Sequence, residues 1–242
     1  MTRGVFSGTS VLAFALCGCS PQASPALAPR PVDAATWRDA RALLASLRAQ
    51  LVPTSATGKR VATTIHEGRT GRTMSARGAI AVRPPGELRM QLVGPAGALA
   101  IDVWISGARD RLAVPALDRI ERSDDGATEA RPGRPIGFLR WWFLHPLDGE
   151  LLTAAREGER MRLVLRARDG ALVDALADAG GRTITAVRRT PGDEETVVAH
   201  DAPCGDATYA SRTAALRVEV RCEGDAPPPS PRAFDDPDAG RP

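Results

Sequence analysis

The sequence contains little cysteine, few aromatic residues and almost no lysine, and each shortage argues against a class of function. Its 242 residues include four cysteines, and 4% are aromatic. No Cys/Cys or Cys/His pair has the spacing of a metal site. Lys59 is the only lysine, and the arginines are spread along the chain rather than clustered. A nucleic-acid-binding surface needs a basic patch with interleaved aromatic residues, so we predict no nucleic-acid partner.

The sequence also lacks the motifs of common active sites. It contains no HExxH, no GxSxG, no P-loop and no dinucleotide-binding GxGxxG. His66, His145 and His200 are isolated from one another, and the acidic run 193–195 falls in a predicted turn. We therefore predict that the chain is not an enzyme and that it requires no cofactor and no metal.

No apolar run is long enough to cross a bilayer as a helix. The chain begins with a short apolar stretch after Arg3 that ends in LCGC at 16–19, which resembles the bacterial lipobox. The resemblance implies cleavage of a signal peptide after Gly18 and acylation of Cys19 with palmitate or a similar chain. The alternative is an ordinary secretory signal. Since Ser20 rather than Asp follows the cysteine, we expect lipid anchoring at the periplasmic face of the outer membrane.

Composition divides the chain into four regions. We predict a signal peptide over 1–18, a proline-rich tether over 19–32, one folded domain over 33–224, and a disordered tail rich in Pro and Asp over 225–242. A domain of roughly 190 residues is long enough to bury a sizeable core.

Hydrophobic periodicity predicts one helix followed by many strands. Residues 33–51 carry an apolar stripe at helical spacing, with Thr36 and Asp39 as an expected capping pair. Residues 171–179 fit a helix or a strand equally well. Because the intervening segments are short, the sheet should be antiparallel. A run of β-branched residues predicts a strand over 59–67, and period-two alternation predicts strands over 73–82, 160–168 and 213–222. We also expect short strands over 111–117, 118–122 and 182–189.

The clearest strand signal is a hairpin over 87–107, which indicates that one wide sheet carries the domain. Its turn is Gly-Pro-Ala-Gly at 94–97, where proline fixes φ and glycine allows a positive φ. The two strands alternate between an apolar face and a second face that contains Asp102 and Trp104. The apolar face is predicted to comprise Leu88, Met90, Leu92, Leu99, Ile101, Val103 and Ile105.

The segment 134–147 is the densest apolar cluster after the signal region, and it includes Phe138 and Trp142. It is too short to span a membrane. Two interpretations remain open. The segment is either a short buried helix that plugs the open side of the sheet or part of the wall of a ligand cavity.

Cys204 and Cys222 would lie in the periplasm, where disulfides persist. A bridge between them would pin the last strand to the preceding loop and contribute roughly 3 kcal/mol in the loop-entropy model. The alternative is two free thiols.

The order of these parts resembles the LolA/LolB superfamily, and in particular its outer-membrane lipoprotein receptors. The likeness covers about residues 33–165. It implies an α+β fold, mainly antiparallel β, in which an incomplete β-barrel wraps round an apolar cavity with helices as a lid. It rests on Trp37-Arg38, on Leu88-Arg89 leading into the turn 94–97, on Pro135-Ile136, and on Leu139-Arg140 with Trp142 and Leu144.

The resemblance implies a monomeric lipoprotein that acts in protein transport as a lipid-binding chaperone. It would accept lipoprotein or lipid acyl chains, from a periplasmic LolA-like carrier, and release them into the outer membrane. The seven apolar hairpin residues, Phe138 and Trp142 would contact the acyl chains.

The turn Pro95-Ala96-Gly97 would face the membrane in such a receptor. The receptors typically carry Leu where this chain has Ala96, so about 1–2 kcal/mol of membrane contact is lost. The alternative function is a structural or adaptor lipoprotein of the envelope that binds a protein partner without lipid transfer.

Overall fold

The structure is a computed structural model that describes residues 32–124, 136–201 and 206–239. The predicted signal peptide, the acylation site Cys19 and nearly all of the predicted tether lie outside these ranges, as does Cys204. Within the described chain, no helix is both long enough and apolar enough to cross a membrane.

One helix precedes a long succession of strands. Helix α1 spans Ala34–Leu51, and a short helix α2, Ile136–Phe138, continues as a π-helical turn, Leu139–Leu144. We call residues 136–144 the plug. The strands are β1 Thr57–Glu67, β2 Arg72–Arg83, β3 Glu87–Val93, β4 Leu99–Ser106, β5 Arg109–Val114, β6 Arg119–Ser123, β7 Glu150–Glu157, β8 Arg160–Arg166, β9 Leu172–Asp178, β10 Thr183–Arg189, β11 Glu194–His200, β12 Ala207–Ser211 and β13 Leu216–Asp225.

The 13 strands form one antiparallel sheet in the order β6-β5-β4-β3-β2-β1-β13-β12-β11-β10-β9-β8-β7. Two meanders, β1–β6 and β7–β13, are therefore joined where β1 pairs with β13. The sheet leaves β6 and β7 as its two edges, so it does not close on itself. This open, curved sheet confirms the predicted incomplete β-barrel.

Helix α1 begins where Asp33 caps it. Asp33 Oδ1 accepts hydrogen bonds from the backbone N–H groups of Ala35 (3.0 Å) and Thr36 (2.9 Å), which satisfies donors that the first turn leaves unpaired. The cap is therefore Asp33, and the expected pairing of Thr36 with Asp39 is wrong. The helix packs on β7 and β8 through a buried stripe of Ala40, Leu44 and Leu47.

Most of the predicted strands are present, but residues 115–117, which the prediction places in a strand, form a 3-10 helix that begins at Pro115. Residues 172–178 form β9, which settles the ambiguity at 171–179 in favour of a strand. Three strands, β7, β11 and β12, were not predicted. In β7 the pairing register shifts between Leu151 and Thr153, so period two is broken, and β12 has only five residues.

The C-terminal segment differs from its prediction as a disordered tail. Residues 226–239 lie along the outer face of the sheet and contain a short 3-10 helix, Pro231–Phe234. The Phe234 side chain is buried, and the guanidinium of Arg83 lies 4.4 Å from its ring centre. The indole N–H of Trp104 donates to the carbonyl of Phe234 at 2.8 Å. Because the segment covers Trp104, strand β4 is buried on both faces.

Ion pairs complete the attachment of this C-terminal segment. Asp238 Oδ2 accepts from Arg111 Nε at 2.7 Å and from Arg122 Nε at 2.9 Å. Arg111 in turn contacts Asp102 at 3.0 Å, and the Arg111 side chain is 7% exposed. The aspartates that give this segment its acidic composition, such as Asp238, are therefore paired with arginines on the strands beneath the segment.

Candidate functional site

The concave face of the hairpin β3–β4 is the first part of the candidate site. Three cross-strand pairs join its two strands, and all six side chains belong to the main hydrophobic core. Between 0% and 6% of each residue is exposed. These residues are Leu88 opposite Ile105, Met90 opposite Val103, and Leu92 opposite Ile101. The structure therefore brings together six of the seven hairpin residues that the sequence assigns to the cavity wall.

Leu99 is the exception, since 38% of it is exposed. The pairing register shifts after Leu92, so that Val93 pairs with Leu99 and Ala100 becomes an extra residue in β4. One extra residue reverses the face to which the preceding side chain points. Leu99 therefore lies at the turn beside Val93, which is 40% exposed, and it does not line the interior.

The turn itself is exposed throughout, from Pro95 to Gly97. Two backbone hydrogen bonds of 2.9 Å hold it, one from Gly97 N–H to the Gly94 carbonyl and one from Gly94 N–H to the Ala98 carbonyl. Gly97 has φ +75°, the left-handed region that glycine adopts readily. Together with Val93 and Leu99, Ala96 forms a small exposed apolar tip.

The plug fills the concave side of the sheet. Phe138 is 1% exposed, and its ring stacks on Tyr209 with the ring centres 4.3 Å apart. Phe143 meets Phe138 edge to face at 5.7 Å, and Trp142 is 7% exposed. Residues 136–144 of the predicted cluster 134–147 are therefore largely buried over the sheet, as the first interpretation expects, and two of them, Trp142 and Phe143, also line a small cavity.

A small apolar cavity remains beside the plug. It lies between Trp142 and Phe143 of the plug, Leu51 of α1, and strands β1 and β13, and its volume is about 50 Å³. Sites that bind a drug-sized ligand occupy about 300–1,000 Å³. An acyl chain therefore fits beside these residues only if the plug or α1 moves.

Arg140 attaches the plug to the turn between β4 and β5. Its Nη2 donates to the carbonyls of Ala108 (2.9 Å) and Arg109 (3.1 Å) and lies 3.2 Å from Asp110 Oδ2. Its Nη1 donates to the carbonyl of Gly107. Only 6% of Arg140 is exposed. A buried, multiply bonded ion pair fixes position strongly, because separating its partners leaves charge in a region of low dielectric.

Arg48 makes the corresponding attachment from α1. It donates from Nε (3.0 Å) and Nη2 (2.7 Å) to the carbonyl of Leu147, and from Nη2 to the carbonyl of Gly149 at 2.7 Å. These carbonyls lie just after the plug. We call α1 and the plug together the helical cover. Arg140 joins the plug to the sheet, and Arg48 joins α1 to the segment that follows the plug.

A buried polar network lies beneath Phe138. The Tyr209 hydroxyl donates to Glu195 Oε1 at 2.7 Å, and Arg188 Nη1 donates to Glu195 Oε2 at 2.5 Å. Burial, together with the charge of Glu195, raises the pKa of Tyr209 far above its usual value, so the phenol stays protonated. The network thus has the properties of a structural cluster, with a tyrosine that cannot act as a base near neutral pH.

Metal ligands are not grouped in the described chain, where no three His, Cys, Asp or Glu side chains are close enough to hold an ion. Cys222 is disulfide-bonded. It is the only cysteine within the described ranges, so its partner lies outside them. Cys222 is therefore not a free thiol. Its pairing with Cys204 stays a prediction.

The sequence analysis did not predict the role of Arg48 and Arg140 in attaching α1 and the plug to the rest of the fold. Arg48 lies at the edge of the apolar stripe of a helix, where an arginine is unremarkable. Arg140 carried a usable signal, because a charged residue inside an aromatic run must find several partners if the run is buried.

The sequence matches no protein-family model and no curated protein. The fold, however, is similar to solved structures. A LolA superfamily protein of Nitrosomonas europaea has 11% identity and a TM-score of 0.59, and the match covers 83% of this chain and 98% of that one. A Vibrio parahaemolyticus domain named for outer membrane lipoprotein sorting has 9% identity and a TM-score of 0.50, over 83% and 97% of the two chains. At such identities the similarity concerns the fold.

Proposed function

We propose that this chain, which has the LolA/LolB-like fold, is a lipid-anchored envelope protein that binds the acyl chains of lipids or lipoproteins on its concave face. The observation that carries the proposal is the apolar wall formed by β3 and β4 beneath a cover of two helical segments. The similarity of the fold to a domain named for outer membrane lipoprotein sorting supports the same class of ligand. Acylation of Cys19 and location at the outer membrane belong to the proposal.

Binding would proceed by displacement of the plug. Each buried CH₂ group contributes about 0.8 kcal/mol, so an acyl chain that replaces the apolar plug residues recovers much of the burial that their displacement costs. The apparent affinity is the intrinsic affinity reduced by the fraction of molecules that are open. The attachments through Arg48 and Arg140 would therefore set how readily the protein loads.

The Arg48→Ala variant tests this opening step. It removes three hydrogen bonds between α1 and the segment after the plug, which should raise the open fraction and the apparent affinity for a fluorescent monoacyl lipid by about fivefold or more. Displacement titration with lysophospholipid measures the affinity. Exposed Arg41 on the same helix provides the control, since Arg41→Ala should leave the affinity unchanged. Absence of lipid binding by all three proteins would reject the proposed function.

The apolar tip should set how strongly the protein contacts a membrane. Ala96→Leu adds apolar area beside Val93 and Leu99, and we expect partition onto phospholipid vesicles to rise by about 5–30-fold. Cosedimentation with vesicles measures the change. Ala108→Leu, in the turn at the other end of β4, is the control. An equal rise in both variants would show that the tip has no special orientation toward the membrane.

The burial of the plug favours a second candidate, an envelope adaptor that binds a protein partner through its surface. A cavity of about 50 Å³ beside the plug is what a domain with a purely structural interior would have. Native mass spectrometry of the purified protein separates the candidates. Co-purifying lipid that is lost on heating supports acyl-chain binding, whereas a bare protein that takes up no added lipid supports the adaptor.

A further inference from the structure

The exposed apolar side chains of the sheet lie at one of its two ends. Because neighbouring strands are antiparallel throughout, β2, β4, β6, β7 and β9 begin at the end where β3 and β5 finish. Leu152 in β7 and Leu172 in β9 are exposed at this end in the second meander. In the first meander the exposed large apolar residues at this end are Met74, Val93, Leu99, Leu117 and Ile120. We call these seven residues the apolar rim.

The turn between β5 and β6 carries the most exposed member of the rim. Pro115 begins a 3-10 helix over 115–117, and the N–H of Asp118 donates to the Pro115 carbonyl at 3.0 Å. This turn packs against β4, the strand that begins at Leu99 of the apolar tip. Leu117 is 65% exposed and Ile120 is 51% exposed. The rim therefore continues the apolar tip across the neighbouring hairpin.

The opposite end of the sheet is chemically different. Its turns at 84–86, 107–108 and 158–159 contain none of the well-exposed large apolar side chains of the described chain. The acidic C-terminal segment lies on this half of the outer face, where Asp236 is 3.6 Å from Arg109. Single exposed apolar residues are ordinary on a protein surface. Their confinement to one end is what distinguishes this sheet.

Several charges near the rim are paired with one another. Arg119, which follows the turn 115–118, forms an ion pair with Glu121. In the second meander, Arg166 Nη2 lies 2.6 Å from Glu150 Oε2. Such pairs add no net charge beside the apolar residues. A contact made by this end of the sheet would therefore depend on apolar area rather than on attraction to an anionic partner.

The shape and size of the rim favour a bilayer over a second protein. A stable protein–protein interface takes about 20–30 residues from each side, whereas the rim offers seven apolar side chains spread along strand ends and turns. These side chains enclose no groove that could hold a partner segment. A bilayer needs no complementary surface, and each side chain that enters it contributes in proportion to its own apolar area.

We propose that the apolar rim docks on the surface of a phospholipid bilayer, with Leu117 as its leading contact. The inference rests on the proposed function, which places the chain at a membrane, and it identifies the surface that meets the lipid. Leu117 supplies in the turn 115–118 the apolar area that Ala96 does not supply in the neighbouring turn. The predicted tether 19–32 would reach about 40 Å when extended, so it would allow this end to turn toward the bilayer.

Hydrogen exchange of the full chain, with and without phosphatidylcholine vesicles, tests the docking. The vesicles should slow amide exchange in 93–99 and 115–120 by about fivefold or more and leave the turns 107–108 and 179–182 unchanged. Equal slowing at both ends, or none at the rim, would overturn the proposal. Slowing that requires anionic lipid and disappears in high salt would overturn the apolar character of the contact. None of these results affects acyl-chain binding, which the displacement titration measures separately.

A pair of variants tests the role of Leu117. Leu117→Ala should lower the ratio of docked to undocked molecules by about fivefold or more, so that most of the protection at both turns is lost. The double variant Leu117→Ala, Ala108→Leu has the same composition as the natural chain but carries the exposed leucine at the opposite end. It should remain as poorly protected as the single variant. Recovery in the double variant would show that exposed apolar area acts without regard to position, and unchanged protection in Leu117→Ala would remove Leu117 from the contact.

Discussion

An Arg140→Met variant should be about 3–5 kcal/mol less stable than the natural chain, because it removes a buried guanidinium that is ion-paired with a fully buried carboxylate. The Asp110 side chain is 0% exposed, and Arg140 Nη2 lies 3.2 Å from its Oδ2. The same change removes donors from the carbonyls of residues 107–109. Methionine keeps an apolar stem of similar length. Chemical denaturation followed by tryptophan fluorescence measures the loss as a lower midpoint at unchanged slope.

The matched control is an arginine whose ion pair is exposed. Arg166 Nη2 lies 2.6 Å from Glu150 Oε2, with 58% and 65% of the two side chains exposed. Such a pair contributes less than about 1 kcal/mol, so Arg166→Met should cost little. If Arg140→Met cost no more than this control, the buried pair would not be what attaches the plug.

Truncation after Asp225 should also cost about 3–5 kcal/mol, the range for loss of a large buried aromatic side chain together with its contacts. It removes the buried Phe234 and the acceptor for the Trp104 indole. It also removes Asp238 from Arg111, whose side chain is 7% exposed. Thermal unfolding measures the loss, and the emission of Trp104 should shift to longer wavelength as the indole meets water.

Two point variants locate the effect within the C-terminal segment. Phe234→Ala should reproduce most of the loss of stability, because removing the ring leaves a cavity where the ring was buried. Arg232→Ala changes an exposed residue two positions away and should alter stability by less than about 0.5 kcal/mol. A truncated protein as stable as the full chain would mean that residues 226–239 are dispensable, as the sequence-based prediction of disorder implies.

The hairpin shows what periodicity can and cannot predict. Alternation placed Leu88, Val103 and their neighbours on the buried face, because one face of a strand turns toward the core and the other away. The error at Leu99 comes from one extra residue in β4. A bulge of this kind depends on how two strands pair, and the sequence of either strand alone does not encode it.

The C-terminal segment and the plug attachments depend on contacts between distant parts of the chain. Asp238 meets Arg122 across 116 residues and Arg111 across 127. Composition alone describes a proline- and aspartate-rich segment as disordered, because the arginines that receive it appear only once the sheet is built. Arg48 likewise donates to backbone carbonyls, which leave no side-chain pattern in the sequence.

The central claim is that acyl chains replace the plug against the concave face, and photo-crosslinking tests it most directly. The purified protein is irradiated with a fatty acid that carries a diazirine at the end of its chain, and the modified peptides are identified by mass spectrometry. We predict labelling of β3, β4 and the plug, at residues such as Met90, Val103 and Trp142, and stronger labelling in Arg48→Ala. Labelling that is confined to the outer face of the sheet would contradict the account. Labelling that excess unlabelled lipid does not reduce at any site would contradict it as well.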